Sequence, residues 1–193
     1  MRIEQQDDLL AEFVGTFGKF VELAEFADIY PIVAELAVGE PEELGQTHWR
    51  PARIETDSRC LDPLYAKLPG RFPLLYERLV LTYRWADVDL GRYTLLANPP
   101  GPDLSRLLNG ISKDPALWDS LVPAGYIRFA KRPDFDYDPV CFDIRERKKN
   151  HDYRIVKIDH EQILCNSRIE VVAELASSFE DLVRRTISEA EKA

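Results

Sequence analysis

Three aspartates near the middle of the chain have the spacing of a cation-binding loop. Asp134, Asp136 and Asp138 follow the pattern D-x-D-x-D, in which three carboxylates can converge on one calcium ion. An EF-hand loop starting at Asp134 needs glycine at its sixth position and glutamate at its twelfth, but Pro139 and Arg145 stand there. The pattern therefore indicates a solvated loop between two strands, with Asp138 shaping the turn before the proline. We predict no metal site.

A second group of titratable residues, Asp159-His160-Glu161, has the residue types of a general acid–base or metal site. His151, Asp143 and Asp152 lie nearby in the sequence. The stretch has neither an H-E-x-x-H motif nor a second histidine four residues away. We interpret residues 159–162 as the turn that follows a strand, which is a structural role.

Cys141, next to Asp143 and with His160 downstream, has the residue types of a thiol nucleophile with a base. It alternates with Val140 and Phe142, however, which is the pattern of a strand. If these two neighbours face the core, Cys141 and Asp143 face the other side of the sheet as structural residues. No G-x-S-x-G, P-loop or G-x-G-x-x-G motif occurs. We therefore predict no catalytic residues and no cofactor, and rank a hydrolase third among the functions.

Two short segments remain open to a binding or a structural interpretation. The basic run Arg145-Glu146-Arg147-Lys148-Lys149 falls between two predicted strands, where it either contacts phosphate or an acidic partner, or is solvated and protects a strand edge. The tripeptide His48-Trp49-Arg50 places a tryptophan beside an arginine. Such a tryptophan is either an exposed binding anchor or a side chain folded back onto the core.

The segment 125–179 predicts an antiparallel β-meander that ends in a helix. Its runs alternate aromatic or β-branched residues with polar ones and are separated by short gaps. The predicted strands are Tyr126–Ala130, Pro139–Ile144, Tyr153–Ile158 and Arg168–Val172. Ser177 and Glu180 have the spacing of a capping box, which predicts that the following helix opens at Ser177.

Helices precede these strands. Apolar steps of three and four predict a helix over residues 7–27, although Gly15 and Gly18 lie inside it. Residues 104–108 predict a helix ended by Asn109-Gly110, and Asp114 with Pro115 predicts the start of another. The segregation of helices and strands indicates an α+β fold, with a single mostly antiparallel or mixed sheet flanked by helices and an N-terminal helical extension.

The domain division follows from the irregular, proline-containing stretch 40–63. We assign residues 1–60 to the N-terminal helical extension and junction, and residues 61–193 to the α+β domain.

Composition limits the classes of partner. The 193 residues include 25 basic and 34 acidic side chains, a net charge of −9, which argues against general nucleic-acid binding and suits a basic partner. Three cysteines without metal spacing are typical of reduced thiols. The acidic start and the absence of an apolar run of 18 residues predict a cytoplasmic, non-membrane protein.

Several motifs together resemble the SUKH superfamily, which includes a yeast cell-wall assembly regulator. Leu68-Pro69 followed by a helix of Phe72, Leu75, Tyr76 and Leu79 resembles the opening of these domains. Residues 138–143, Asp-Pro-Val-Cys-Phe-Asp, resemble a family strand, and residues 172–182 are similar to its closing segment. The likeness covers about residues 68–187, and residues 1–60 have no counterpart in it.

The resemblance implies a binding role without catalytic residues, because many bacterial members look like immunity proteins that neutralise toxins. We expect a protein partner such as a basic toxin domain, bound through exposed acids and aromatics, with Asp134, Asp136, Tyr137 and Asp138 as first candidates. The alternative is a regulatory or scaffold module of a housekeeping pathway, as the yeast relative suggests. The sequence leaves the oligomeric state open.

Overall fold

The computed structural model describes residues 3–26, 31–133, 137–146 and 152–193. Within these ranges the α-helices are α1 (Ile3–Gly15), α2 (Pro31–Leu36), α3 (Asp62–Tyr65), α4 (Leu74–Thr82), α5 (Ser105–Ile111), α6 (Pro115–Leu121), α7 (His160–Asn166) and α8 (Phe179–Ala190). The strands are β1 (Ala24–Phe26), β2 (Gln46–His48), β3 (Ala52–Arg53), β4 (Tyr83–Arg84), β5 (Val88–Asp89), β6 (Thr94–Leu95), β7 (Tyr126–Lys131), β8 (Pro139–Asp143), β9 (Ile155–Ile158) and β10 (Val171–Ala176). A 3₁₀ turn covers Ser58–Leu61.

The main sheet has six antiparallel strands in the spatial order β10-β9-β8-β7-β6-β5, so each strand pairs with its neighbour in the sequence. Two smaller ladders join β1 to β2 and β3 to β4. Short connections between consecutive strands favour this antiparallel arrangement. The α+β class that the sequence predicts is confirmed.

Side chains of β8 alternate between two hydrophobic clusters on the two faces of the sheet. Val140 and Phe142 belong to the larger cluster, and Phe142 stacks on Phe129 of β7 with 4.1 Å between ring centroids. Cys141 belongs to the smaller cluster, which α6 and α7 cover with Leu117 and other apolar residues. Cys141 therefore lies on the opposite face from Val140 and Phe142, as the alternation predicts.

The N-terminal helix packs on the main domain. Phe13 of α1 is fully buried in the larger cluster and meets Phe179 of α8 edge-on, with 6.4 Å between centroids. The Asp7 carboxylate accepts two hydrogen bonds from the Arg78 guanidinium of α4, at 2.8 and 2.9 Å. Described residues of the N-terminal segment thus share a core with the rest, and a domain boundary near residue 60 stays a prediction.

The first helix is shorter than its apolar spacing predicts. We expected one helix over residues 7–27, but α1 ends at Gly15. The backbone N–H and the hydroxyl of Thr16 both donate to the Phe13 carbonyl, at 3.0 and 2.7 Å, which tightens the last turn. Gly18 then has a φ of +84°, which glycine adopts readily, and the chain turns away from the helix axis.

The capping box of α8 lies one residue later than predicted. Ser178, not Ser177, is the N-cap, and its hydroxyl accepts a hydrogen bond from the Asp181 N–H at 3.0 Å. The Asp181 carboxylate reaches back to the Ser177 N–H at 3.0 Å. The acid of the box is therefore Asp181 rather than Glu180.

Three further predictions need correction. Residues 159–162, expected to form a turn, open α7, because the Asp159 carboxylate accepts a hydrogen bond from the Gln162 N–H at 3.0 Å. Helix α5 continues through Asn109-Gly110 to Ile111, and Arg128 donates to the Gly110 carbonyl at 3.0 Å. The last strand occupies Val171–Ala176 rather than residues 168–172, because its pairing with β9 begins at Val171.

In the described ranges, no helix combines the length and the apolar character that crossing a bilayer requires.

Candidate functional site

Two of the four predicted partner-binding residues fall within the described structure. Asp134 and Asp136 lie outside the described residues. Tyr137 is 61% exposed, in keeping with its role as a contact candidate, whereas Asp138 is only 8% exposed and is held by neighbouring side chains. The two adjacent residues therefore have different environments: the Tyr137 side chain faces solvent, and the Asp138 side chain is held inside the structure.

The pairing of β8 with β9 explains which residues surround Asp138. Val140 pairs with Lys157, Cys141 with Val156 and Phe142 with Ile155. Continuing this register by two residues brings Asp138 level with Asp159, immediately before α7 starts. Residues from two distant parts of the sequence thus meet at one end of the central strands.

Asp138 accepts hydrogen bonds from three donors. Its Oδ1 receives the backbone N–H and the ring Nδ1 of His160, each at 3.0 Å, and its Oδ2 lies 3.2 Å from the Lys157 ammonium. Burial raises the pKa of Asp138, but the hydrogen bonds from His160 and Lys157 outweigh that effect, so its pKa is lowered from the ordinary value. Asp138 is therefore an ionised group at neutral pH.

The Asp138–His160 pair has the geometry that orients a general base, but it lies outside the two best-formed cavities of the described structure. The bond to Nδ1 leaves the Nε2 atom of His160 as the nitrogen available for chemistry. One of these cavities lies near α1 and the other near α6, and His160, Asp143 and Asp159 line neither of them. Asp143 lies at the other end of β8. The arrangement therefore supports a structural pair better than an acid–base centre.

The same cluster contains the residue types of a metal site. Asp138, Asp159 and His160 each offer a ligand atom, and these atoms lie within 4.8 Å of one another. Carboxylate oxygens and imidazole suit zinc. Both Asp138 oxygens are already hydrogen-bonded, and the Asp159 oxygen caps α7. A metal ion would have to displace the Lys157 ammonium, which already supplies the positive charge.

Tyr137 and α7 form an exposed surface that we call the α7 patch, defined by Tyr137, His160 and Leu164. The Tyr137 ring meets the His160 ring edge-on, with 6.0 Å between centroids. Leu164 is 53% exposed and lies four residues after His160, on the same side of the helix. Two acids, Asp159 and Glu161, flank His160 in the sequence. The patch joins an aromatic and an aliphatic side chain to acidic neighbours.

The other candidates from the sequence are buried or engaged in ion pairs where the structure describes them. Trp49 is 2% exposed, so it folds back onto the core and is no exposed anchor. Arg145 of the basic run pairs with Asp143 at 2.8 Å, and residues 147–149 lie outside the described residues. Cys141 is fully buried, and burial raises the pKa of its thiol, which opposes a role as nucleophile.

Sequence reasoning missed Lys157 and Leu164. Lys157 belongs to the alternating run of β9 as its one charged member, and this is a signal for a buried charge partner. No sequence pattern indicates that Leu164 is exposed beside His160, because the sequence predicts a turn at residues 159–162 instead of the start of α7. The α7 patch becomes visible only when the helix and the strand register are both known.

Comparison of the chain with models of protein families, with curated proteins and with solved structures gives no match.

Proposed function

We propose that this chain is a non-enzymatic, cytoplasmic protein-binding domain of the SUKH type that binds and neutralises a basic toxin domain. The observation that carries the proposal is the α7 patch, where Tyr137 is 61% exposed beside an anchored strand end. Tyrosine is enriched among residues that dominate binding energy, because it presents a large, rigid surface with a polar tip.

The supporting elements favour preorganised binding. Asp138 ties the start of β8 to Lys157 of β9 and to the first residue of α7, so the backbone that follows Tyr137 is held in place. An anchor that is already fixed loses less conformational entropy on binding than a mobile one. Leu164 adds apolar area on the same side of α7.

Charge supports a basic partner. The chain has nine more acidic than basic residues, and Asp134 and Asp136 precede Tyr137 in the sequence. A nuclease toxin needs basic surface to hold nucleic acid, and an acidic protein can cover that surface through complementary charge. Such steering accelerates association and weakens as salt rises.

The test begins with capture of partners from the native cell lysate on tagged protein, at low and at moderate salt. A basic protein that is retained at low salt is then purified and titrated calorimetrically. We expect Tyr137→Ala combined with Leu164→Ala to weaken binding by about 2–3 kcal/mol, with an unchanged thermal unfolding midpoint. The control is Leu44→Ala, which truncates a leucine that is 81% exposed and lies far from the patch in the sequence.

If the patch variant and Leu44→Ala bind equally well, the α7 patch is not the interface. A stoichiometric partner that is acidic or neutral, with salt-independent binding, would contradict the toxin-neutralising role and favour a regulatory module.

A further inference from the structure

One cavity of the described structure is a groove at the end of α1, distant in sequence from the α7 patch. It has a volume of about 800 Å³ and opens to solvent. The turn after α1 forms one wall, and the segment 48–51 after β2 forms the other. Its volume falls within the range of small-molecule sites. We call it the α1 groove.

The floor of the α1 groove is apolar and firmly held. Trp49 and Phe17, 2% and 8% exposed, form its base, and the partly buried Phe20 and Leu23 with the exposed Val21 and Val38 provide its accessible apolar surface. Phe17 packs edge-on against Trp85 of the main core, with 6.2 Å between ring centroids. A floor built from core side chains does not need to be ordered when a ligand binds, which favours affinity.

Two cations at the rim of the α1 groove have no partner within the described structure. The Lys19 ammonium and the Arg50 guanidinium are exposed, and neither makes an ion pair or a side-chain hydrogen bond to a described residue. Several other arginines pair with acids, as Arg106 does with Glu35 at 2.5 Å.

The groove wall also contains an acid, Glu22, which is placed against His48 rather than against either cation. Glu22 lies 3.7 Å from the Nδ1 atom of His48, and the other ring nitrogen of His48 binds Glu42 at 2.8 Å. On a chain with a net charge of −9, the α1 groove therefore brings together two cations that make no ion pair with a described residue, beside one carboxylate that contacts His48.

We propose that the α1 groove binds a small amphipathic anion, with a flat aromatic or acyl body against the apolar lining of Phe20, Leu23, Val21 and Val38 and a carboxylate, sulfonate or phosphate between Lys19 and Arg50. Apolar burial supplies the affinity, and the two cations select for negative charge. This site is independent of the proposed protein interface, because no residue of the α7 patch lines the groove.

The test is a fluorescence titration with anilinonaphthalene sulfonate, an aromatic anion that brightens in apolar sites. We expect saturable binding at one site per chain, with native near-ultraviolet circular dichroism to exclude a partly folded state. Lys19→Glu with Arg50→Glu should weaken binding by about tenfold, because two attractions become repulsions. Lys67→Glu with Lys113→Glu makes the same change in net charge at exposed lysines outside the groove, and should change affinity less than about twofold.

A steric variant separates the groove from general surface binding. Gly15 lines the groove, and a Cβ atom there would meet nothing within 4 Å, so Gly15→Leu should fill the groove and remove binding. Gly110→Leu is the matched control, because its Cβ position in α5 is equally open and it lies outside the groove.

Decanoate and decanol have the same ten-carbon chain, but only decanoate carries a negative charge. If binding requires that charge, decanoate should displace the probe and decanol should not. Absence of saturable binding, equal effects of the two charge-reversal pairs, or equal displacement by decanoate and decanol would each overturn the proposal.

Discussion

Replacing Asp143 by asparagine should destabilise the chain more than any comparable change at an exposed carboxylate. The Asp143 side chain has no solvent exposure and accepts hydrogen bonds from two guanidinium groups. Arg145 donates through Nε and Nη2, each at 2.8 Å, and Arg154 donates at 2.9 and 2.7 Å. An asparagine removes the charge and points an NH₂ group at donors, because one of the two oxygens is replaced.

The magnitude follows from the bonds that are lost. In its least costly orientation the amide replaces Oδ1, which loses the bonds from the Nε and backbone N–H of Arg145. A hydrogen bond to a charged group contributes about 1.5–3 kcal/mol, and the arginines are 47% and 34% exposed, so the lower end applies. Two such bonds give about 3 kcal/mol, which agrees with the loss of one partner from a buried ion pair.

The assay is urea unfolding of wild type and Asp143→Asn, with thermal unfolding as a second measurement. For a chain of this size about 3 kcal/mol corresponds to a midpoint lowered by about 6–12 °C. Asp57→Asn is the control, because Asp57 also binds one arginine through two bonds, at 3.0 and 2.9 Å, but is 52% exposed. Asparagine caps the turn at this position as well as aspartate does, so we expect an unchanged midpoint.

The pH dependence of stability is a second test of the contribution of the Asp143 carboxylate. Burial raises the pKa of Asp143, but the hydrogen bonds from Arg145 and Arg154 outweigh it, so the folded pKa lies below the ordinary value. Its contribution to stability is complete above the unfolded pKa of about 3.9 and is lost as pH falls through the folded pKa. The stability difference between wild type and variant should therefore shrink below about pH 4. A difference under about 1 kcal/mol at pH 7, or one that grows in acid, would refute the reasoning.

Three further changes test the fold. Gly125→Ala should lower the free energy of unfolding by about 1–2 kcal/mol more than Gly39→Ala does. Both glycines have a positive φ, +83° and +81°, but only at Gly125 would a Cβ atom meet an arginine side chain, at 2.7 Å. Ser178→Ala should lower the free energy of unfolding by about 1 kcal/mol, and Ser177→Ala by less, because Ser178 is the N-cap; equal losses in urea unfolding would contradict this assignment. Cys141 should react with a thiol reagent only on unfolding, because it is buried with a raised pKa; modification in the native state, read by mass spectrometry, would contradict its burial.

The strands were predictable because their alternation is a local property. In β8 the sequence Val140-Cys141-Phe142 determines which side chains share a face, whatever the neighbouring strands are. The end of α1 was less predictable, because the apolar spacing continues to Phe20 after the helix has ended. Phe20 instead packs on Gly91, where a Cβ atom would lie 3.1 Å from its ring.

Helix α7 escaped prediction for a different reason. Its seven residues bury only Ile163, so no apolar stripe reveals the helix. The remaining signal is the capping-box spacing of Asp159, a residue type that caps helices, and Gln162, a glutamine three positions later. Without the helix, Leu164 could not be placed beside His160, and the α7 patch could not be inferred from the sequence.

The role of Asp138 was the part of the site that only the strand register could reveal. Strands β8 and β9 are joined by a buried carboxylate at each end, Asp138 with Lys157 and Asp143 with Arg154. Which residue of β9 lies beside which residue of β8 depends on the register of the two strands. Alternation within each strand does not determine that register. A variant such as Asp138→Lys would place a second ammonium beside Lys157 and destabilise the fold. If that variant lost partner binding, the loss could result from unfolding as well as from a lost contact. The interface is therefore tested cleanly through Tyr137, whose side chain is exposed while its backbone is held by the ion pair next to it.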